Sequence, residues 1–280
     1  MIPARFEYEV ADSPEHAISL LGERDDAKIL AGGHSLLPAM RIRLARPSLL
    51  VDVGRLADLA YVRDAGEHVA IGALTRHKDV SEAGLLRNNC SIVADTAAQI
   101  GDPQVRHRGT IGGSLAHGDP ASDLPAVMLA LGAELVVRGA SGDRTVPASE
   151  FFTGVFQTAV APAEMLVEVR VPKLGSSTGS AYVKMSRRAQ DWATVAVAAV
   201  VERSNGSIAK AAIGLTNMGG TPLRASAAEE AIAGGASIED AAALAADGAE
   251  PSSDLTASAE FRRHLARVLT RRALEQASAA

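Results

Sequence analysis

Ala31-Gly32-Gly33-His34-Ser35-Leu36-Leu37-Pro38 follows directly on the apolar run Lys28-Ile29-Leu30. A strand that runs into paired glycines and a hydroxyl side chain leaves backbone N–H groups with no Cβ in front of them, so they can close on an anion. Thr110-Ile111-Gly112-Gly113-Ser114 repeats the pattern and leads to His117-Gly118-Asp119-Pro120-Ala121-Ser122-Asp123. Two such turns in one chain suggest a ligand held from two sides, such as a dinucleotide pyrophosphate. Neither turn is a P-loop, because no G-x-x-x-x-G-K-[ST] occurs. No G-x-G-x-x-G follows the first strand, so a Rossmann reading fails too. One Gly-Gly pair alone is no more than a tight turn; the order and the flanks of the two together carry the argument.

Upstream of the first turn, Phe6–Val10 alternates as a strand. Ser13-Pro14 then offers an N-cap with proline at the first helical position. Ala17, Ile18, Leu20 and Leu21 supply the apolar face of a helix that ends near Gly22. Lys28–Ala31 and Leu49–Val53 read as further strands, so residues 1–55 form a small α/β unit in β-α-β order. A second unit, 56–173, holds strands at His68–Gly72, Glu134–Arg138 and Glu168–Pro172. Its helices open near Thr75 and run over Ile92–Ile100 and Leu124–Leu131, with Pro125 tolerated in a first turn. The Gly- and Ser-rich stretch 173–180 marks a boundary. The third unit, 174–280, reads as three strands, with a hairpin at Asn205-Gly206, followed by helices over the alanine-rich 225–246 and over 260–276. In the last helix Phe261, Leu265, Val268, Leu269 and Ala273 form the apolar face, and Arg262, Arg263, Arg267, Arg271 and Arg272 a solvated one.

Composition narrows the function classes. The chain has 280 residues, 47% apolar and 22% charged, with a net charge of −5. No basic surface argues for nucleic acid. The longest apolar run, Ala193–Val201, is too short to span a bilayer, and the N-terminus lacks the apolar segment of a signal peptide; both point to the cytoplasm. Cys90 is the only cysteine, so this chain builds neither a disulfide nor a Cys-ligated iron–sulfur cluster. Cys90 reads as a small buried apolar residue.

Three long stretches then carry a resemblance: AGGHSLLPAMRIRLARPSLLVDV at 31–53, IGDPQVRHRGTIGGSLAHGDPASDLPAVMLAL at 100–131 and YVKMSRRAQDWATVAVAA at 182–199. They resemble the FAD-binding medium subunits of the molybdenum hydroxylases, the group of aerobic carbon monoxide dehydrogenase and xanthine dehydrogenase. The resemblance covers nearly the whole chain. It implies an α+β architecture: a two-subdomain FAD-binding fold of the PCMH, or vanillyl-alcohol-oxidase-like, kind, followed by a small C-terminal domain of three strands plus helices.

The same resemblance implies the site. Lys28, Ile29, Leu30, Ala31, Gly32, Gly33, His34, Ser35 and Leu36 would border the FAD pyrophosphate. Ile100, Gly101 and Val105 would line the flavin. Gly109, Thr110, Gly113, Ser114 and His117 would contact the cofactor, with Ser122 and Asp123 gripping it. Asp123 would serve as a sugar anchor or as a helix N-cap. Lys184 lies one residue out of register with a flavin-contacting lysine of the xanthine dehydrogenases. Trp192, the only tryptophan, stands where relatives have an aromatic near the ring, and a core role fits it equally well. Leu166 is a further candidate, whereas His107 and Arg108 read as exposed loop. FAD would bind noncovalently. Molybdenum cofactor and 2Fe–2S clusters would sit on a large and a small partner chain, in a dimer of heterotrimers, with quinone or NAD as electron acceptor. Two other readings are a standalone flavin reductase, like the enolpyruvyl-UDP-glucosamine reductases, and a noncatalytic flavin-binding assembly subunit.

Overall fold

The computed structural model describes residues 2–280. Its first unit is β1 (Glu7–Val10), α1 (Pro14–Glu23), β2 (Lys28–Leu30), α2 (Leu36–Arg41) and β3 (Leu49–Asp52). The strands form a parallel sheet in the order β1-β3-β2, as short β-α-β connections require. Ser13 caps α1 by accepting from His16 N, with Pro14 at the first helical position.

The second unit begins with β4 (Val62–Ala65), β5 (His68–Gly72), α3 (His77–Glu82), α4 (Gly84–Asn89), α5 (Ser91–Ala98) and α6 (Pro103–Arg106). It continues through α7 (Ile111–His117), α8 (Asp123–Leu131), β6 (Glu134–Gly139), β7 (Gly142–Pro147), α9 (Ala148–Phe151), the small hairpin β8 (Phe152–Gly154) and β9 (Gln157–Thr158), and β10 (Met165–Pro172). Its main sheet runs β4-β5-β10-β6-β7 and is antiparallel throughout. The sequence reading lacked β4 and β7, the two edge strands. Their solvent faces and polar residues (Arg63, Asp64, Asp143, Arg144) hide the two-residue period that marks a half-buried strand.

The third unit is β11 (Thr178–Met185), β12 (Val195–Ser204), β13 (Ser207–Thr216), β14 (Leu223–Arg224), α10 (Ser226–Ala233), α11 (Ile238–Ala243) and α12 (Ala259–Ala279). Its antiparallel sheet has four strands rather than three. The fourth pairs over only two residues, Gly214 with Arg224 and Leu215 with Leu223, too short to leave a periodic signal. Asn205 (φ 52°) and Gly206 (φ 80°) turn the β12–β13 hairpin, the left-handed pair that a two-residue hairpin demands.

Alternation along β12 explains how the units join. Val195, Val197, Ala199 and Val201 face the core made with α10–α12, whereas Ala196 and Ala198 face the core of the second unit. A strand buried on both faces reads as one continuous apolar run. Helix α8 is buried on every side, as its apolar sequence after Asp123 requires. It packs against α5 of the second unit and β12 and β13 of the third. Leu56, Leu59, Leu74, Val136, Met165 and Val167 in turn close over the first unit. Cys90 is buried, and burial pushes its thiol up to about 12.

Two details of the third unit depart from the sequence reading. The alanine-rich segment is broken into α10 and α11 at Gly234-Gly235, with Gly235 at φ 84°. Arg262 is not solvated but almost wholly buried, and Phe261 faces out in its stead. The Arg262 guanidinium donates to Thr194 O and, at 2.7 Å, to Asp254 Oδ2. Asn217 Nδ2 donates to Ala193 O at 2.8 Å and to Thr194 O. Together they pin the end of the loop 186–194. Arg262→Met is therefore expected to cost about 2 kcal/mol, the price of depriving a buried acceptor of a charged donor. Trypsin should then cut faster after Arg187 and Arg188; an unchanged melt and unchanged cleavage would show that Arg262 is no anchor.

Candidate functional site

The two glycine turns meet. A Cβ on Gly32 would lie 2.3 Å from Arg108 O and 2.8 Å from Gly109 Cα, so the first turn rests backbone to backbone on the segment that opens the second. A Cβ on Gly113 would come within 3.8 Å of Ala31 Cβ. Gly33 has φ +77°, which favours glycine. The N–H groups of Gly32, Gly33, His34 and Ser35 have no acceptor among the described residues, so the first turn presents a row of free donors.

The second turn does not. Ile111 N donates to Thr75 O at 3.0 Å, Gly112 N to Ala73 O at 2.9 Å, Gly113 N to Thr110 Oγ1 at 3.1 Å and Ser114 N to Thr110 O at 3.0 Å. Its first glycine serves packing: a Cβ on Gly112 would stand 2.5 Å from Ala73 Cβ. Of the two turns only the first leaves its N–H groups free. The first turn offers donors, and the second shapes the wall that faces it.

Arginines complete this place. A cleft of about 220 Å³ is lined by Leu30, Ala31, Gly32, Asp52, Arg55, Arg76 and Arg108, among others. Arg76 reaches across to donate to Arg108 O, and its backbone bridges to Thr110. Arg108 is exposed, as its sequence suggests, yet it lines the cleft. Arg55 and Arg76 escaped the sequence reading because each sits alone on a separate loop; only folding gathers them. His77 lies beneath Gly109, where a Cβ would be 2.7 Å from its Cδ2. Burial, reinforced by the charges of Arg106, Arg76 and His34, pushes His77 down to about 4, so it is neutral at pH 7. Free amides with three guanidiniums beside them fit a doubly anionic diphosphate.

Segment 99–110 links this cleft to the third unit. Asp102 caps α6 by accepting from Val105 N at 2.9 Å. Gly101 is left-handed (φ 51°), and a Cβ there would press on Val105 at 2.8 Å. Ile100, Gly101 and Val105 are half-buried. At the near end of the segment, Lys184 Nζ donates to Asp123 Oδ2 at 2.9 Å and to Gln99 O at 3.4 Å, while Tyr182 OH donates to Asp123 Oδ1 at 2.7 Å. Both side chains of the Lys184–Asp123 pair are buried. Burial raises the Asp123 carboxyl, and Lys184 opposes that rise. Asp123 is the first residue of α8 and Ser122 holds the cap position. Both carboxylate oxygens of Asp123 are already engaged within the chain.

The remaining candidates lie on several elements, with Leu30 in the wall of the cleft. Lys28, Ile29 and Leu30 form β2, and Leu36 opens α2. Ser114 and His117 lie on α7; the His117 ring packs 5.0 Å from Phe156, and burial pushes it down. Leu166 is buried in the core on β10. Trp192 is 63% exposed on the loop 186–194, so a core role is excluded.

Residues 4–174 match the family described as FAD binding domain in molybdopterin dehydrogenase. Residues 180–277 match the CO dehydrogenase flavoprotein C-terminal domain. The chain belongs to this FAD-binding family. It is 42% identical to the carbon monoxide dehydrogenase medium chain of Hydrogenophaga pseudoflava, over 99% of this chain and 98% of that one. It is 40% identical to the 6-hydroxypseudooxynicotine dehydrogenase complex subunit alpha of Paenarthrobacter nicotinovorans, over 99% and 96%. Carbon monoxide dehydrogenase from Hydrogenophaga pseudoflava lacking the Mo-pyranopterin moiety superposes with a TM-score of 0.96 at 44% identity, covering 100% and 99% of the two chains. Quinoline 2-oxidoreductase from Pseudomonas putida 86 superposes at 0.94 and 31% identity, again over 100% and 99%. This chain is therefore an oxidoreductase subunit with FAD as its cofactor. Among the described residues, no helix is long and apolar enough to cross a membrane.

Proposed function

We propose that this chain is the flavin stage of a molybdenum hydroxylase. It takes electrons from 2Fe–2S clusters on a small partner chain and passes them to an external acceptor, quinone or NAD. A large partner chain carries the molybdenum cofactor and meets the organic substrate, and the assembly is a cytoplasmic dimer of such heterotrimers. The observation that carries the reading is the free amide row Gly32–Ser35 closed against Arg108-Gly109 beside three arginines, in a chain whose only cysteine is Cys90.

Bound FAD supplies the redox chemistry; the protein supplies position and electrostatics. Gly32, Gly33, His34 and Ser35 would hold the pyrophosphate through backbone N–H groups, with Arg55, Arg76 and Arg108 balancing its charge. Ile100, Gly101 and Val105 would wall the ring, and Trp192 would cover it from the exposed loop. Lys184 has spent its charge on Asp123; it fixes the Gln99 end of that wall and so acts on ring position. Residues 1–55, 56–173 and 174–280 are the three units between which the cofactor would lie.

The test is recovery of this chain, tagged, from its native host. The complex should contain molybdenum and about two 2Fe–2S clusters per FAD, and acid denaturation should release the flavin as FAD. A monomer with full substrate turnover and no metal-bearing partner would favour a standalone reductase. Flavin that stayed on the polypeptide would overturn noncovalent binding.

A further inference from the structure

Ala193 and Thr194 end the loop 186–194, and both are buried, whereas Trp192 beside them is exposed. Their carbonyls need donors, yet among the described residues no backbone N–H reaches either one. Side chains from far along the chain serve instead. Asn217 Nδ2 donates to Ala193 O at 2.8 Å and to Thr194 O at 3.3 Å, and the Arg262 guanidinium donates to Thr194 O. Thr194 N donates to Met185 O at 2.8 Å, which closes the mouth of the loop. Exposed Trp192 has no core packing to place it; its position follows from where Ala193 stands.

Asn217 does more than satisfy these carbonyls. It stands directly after β13 in a left-handed conformation, φ 62°, which asparagine tolerates better than most side chains. A conformation of this kind persists where its surroundings over-determine it. Asn217 N donates to Pro120 O at 2.8 Å while its side chain holds Ala193 and Thr194, and Met218 behind it is buried. One residue therefore ties the loop to the segment 117–123. Asp123 lies just beyond Pro120 on that segment. Lys184, next to Met185 at the mouth of the loop, joins Asp123 to Gln99 O. Ile100 follows Gln99 and opens the wall assigned to the flavin ring. The mouth of the loop and that wall are therefore neighbours.

We infer that Asn217 is a positioning residue for the flavin. Acting through Ala193 and Thr194, it sets how closely Trp192 covers the ring, and hence how far an external acceptor reaches it. Arg262 steadies the same mouth from α12; Asn217 registers it on 117–123. This rests on the function proposed above.

The test uses the tagged complex recovered from the native host. Asn217→Gly keeps the backbone N–H and the left-handed turn and removes both side-chain donations. Asn217→Asp keeps the volume and sets a carboxylate against the two carbonyls. Each is compared with wild type, and each is also made in a Trp192→Ala background. Indole emission overlaps the absorption of oxidised flavin, so Trp192 lying on the ring is quenched. Subtracting the spectrum of the matching Trp192→Ala complex isolates that emission. Both Asn217 variants should keep one FAD per chain and melt about 2–4 °C below wild type, the effect of losing a hydrogen bond. Their Trp192 emission should rise at least about threefold, and reoxidation of the reduced flavin by a small external acceptor should quicken, but not further once Trp192 is alanine. A merely structural Asn217 would lower the melt and leave the emission alone, and that result overturns the inference. So do equal effects with and without Trp192. FAD lost from both variants overturns it too, because Asn217 would then hold the cofactor segment itself. Wild-type Trp192 emission that is already unquenched refutes instead the placement of Trp192 on which the inference rests.

Discussion

Gly32→Val should strip the chain of FAD. The valine Cβ would stand 2.3 Å from Arg108 O and 2.8 Å from Gly109 Cα. Both are backbone atoms of a segment pinned by Gly109 N to Val105 O at 2.7 Å and by His77 N to Gly109 O at 3.0 Å, so neither can swing aside as a side-chain tip would. The two turns must part, and the free amides of Gly32–Ser35 move away from the arginines of the cleft. Overpacking of this kind costs about 1–3 kcal/mol of stability. The cofactor should suffer more, because every donor on the row shifts together: affinity should drop at least about a hundredfold, or roughly 2.7 kcal/mol. The flavin-to-protein ratio after gel filtration and a calorimetric titration with FAD measure it. A Gly32→Val protein that kept one FAD per chain would refute the assignment of this row to the pyrophosphate.

Lys184→Met should be strongly destabilising. It leaves the Asp123 carboxylate buried at the start of α8 with Tyr182 as its sole remaining donor. Removing one member of a buried ion pair costs about 3–5 kcal/mol, which lowers the melting temperature of a chain this size by roughly 10 °C. The sign of the pH dependence follows from Asp123. Its folded-state carboxyl is raised by burial, so its contribution is fully present below the ordinary carboxylate value and is lost as pH climbs through the folded one. Without Lys184 that rise is unopposed and the loss extends to higher pH. The deficit of Lys184→Met against wild type should thus be larger at pH 8 than at pH 5. Adding Asp123→Asn should recover much of it. A pH-independent deficit, or a double variant no more stable than the single one, would show that the pair is not what holds this corner.

The contrast between Gly32 and Gly112 shows what a sequence motif conveys. Both glycines stand in similar short runs, and both are intolerant of a Cβ. Only the first belongs to a row with free N–H groups; the second spends its amide on Ala73 O and its missing side chain on Ala73 Cβ. The two glycines look alike locally, because the acceptors of Ile111 N and Gly112 N come from residues 75 and 73, almost forty positions earlier. Arg262 teaches the same lesson. Its helical spacing placed it with four other arginines on a solvated face, and the carbonyl of Thr194 drew it inside.

By itself the sequence determined the α/β start of the chain, the hairpin at Asn205-Gly206, the buried run of β12 and the capped start of α1. These rest on short-range rules, namely alternation, capping and left-handed turn residues, which are satisfied within a few residues of each position. Tertiary structure alone decided which amides stay free, how Arg55, Arg76 and Arg108 converge, and how Asp123 comes to face Lys184 across 61 positions. Those are long-range contacts. They arise where apolar burial brings distant loops together, and electrostatics then chooses among the partners found there.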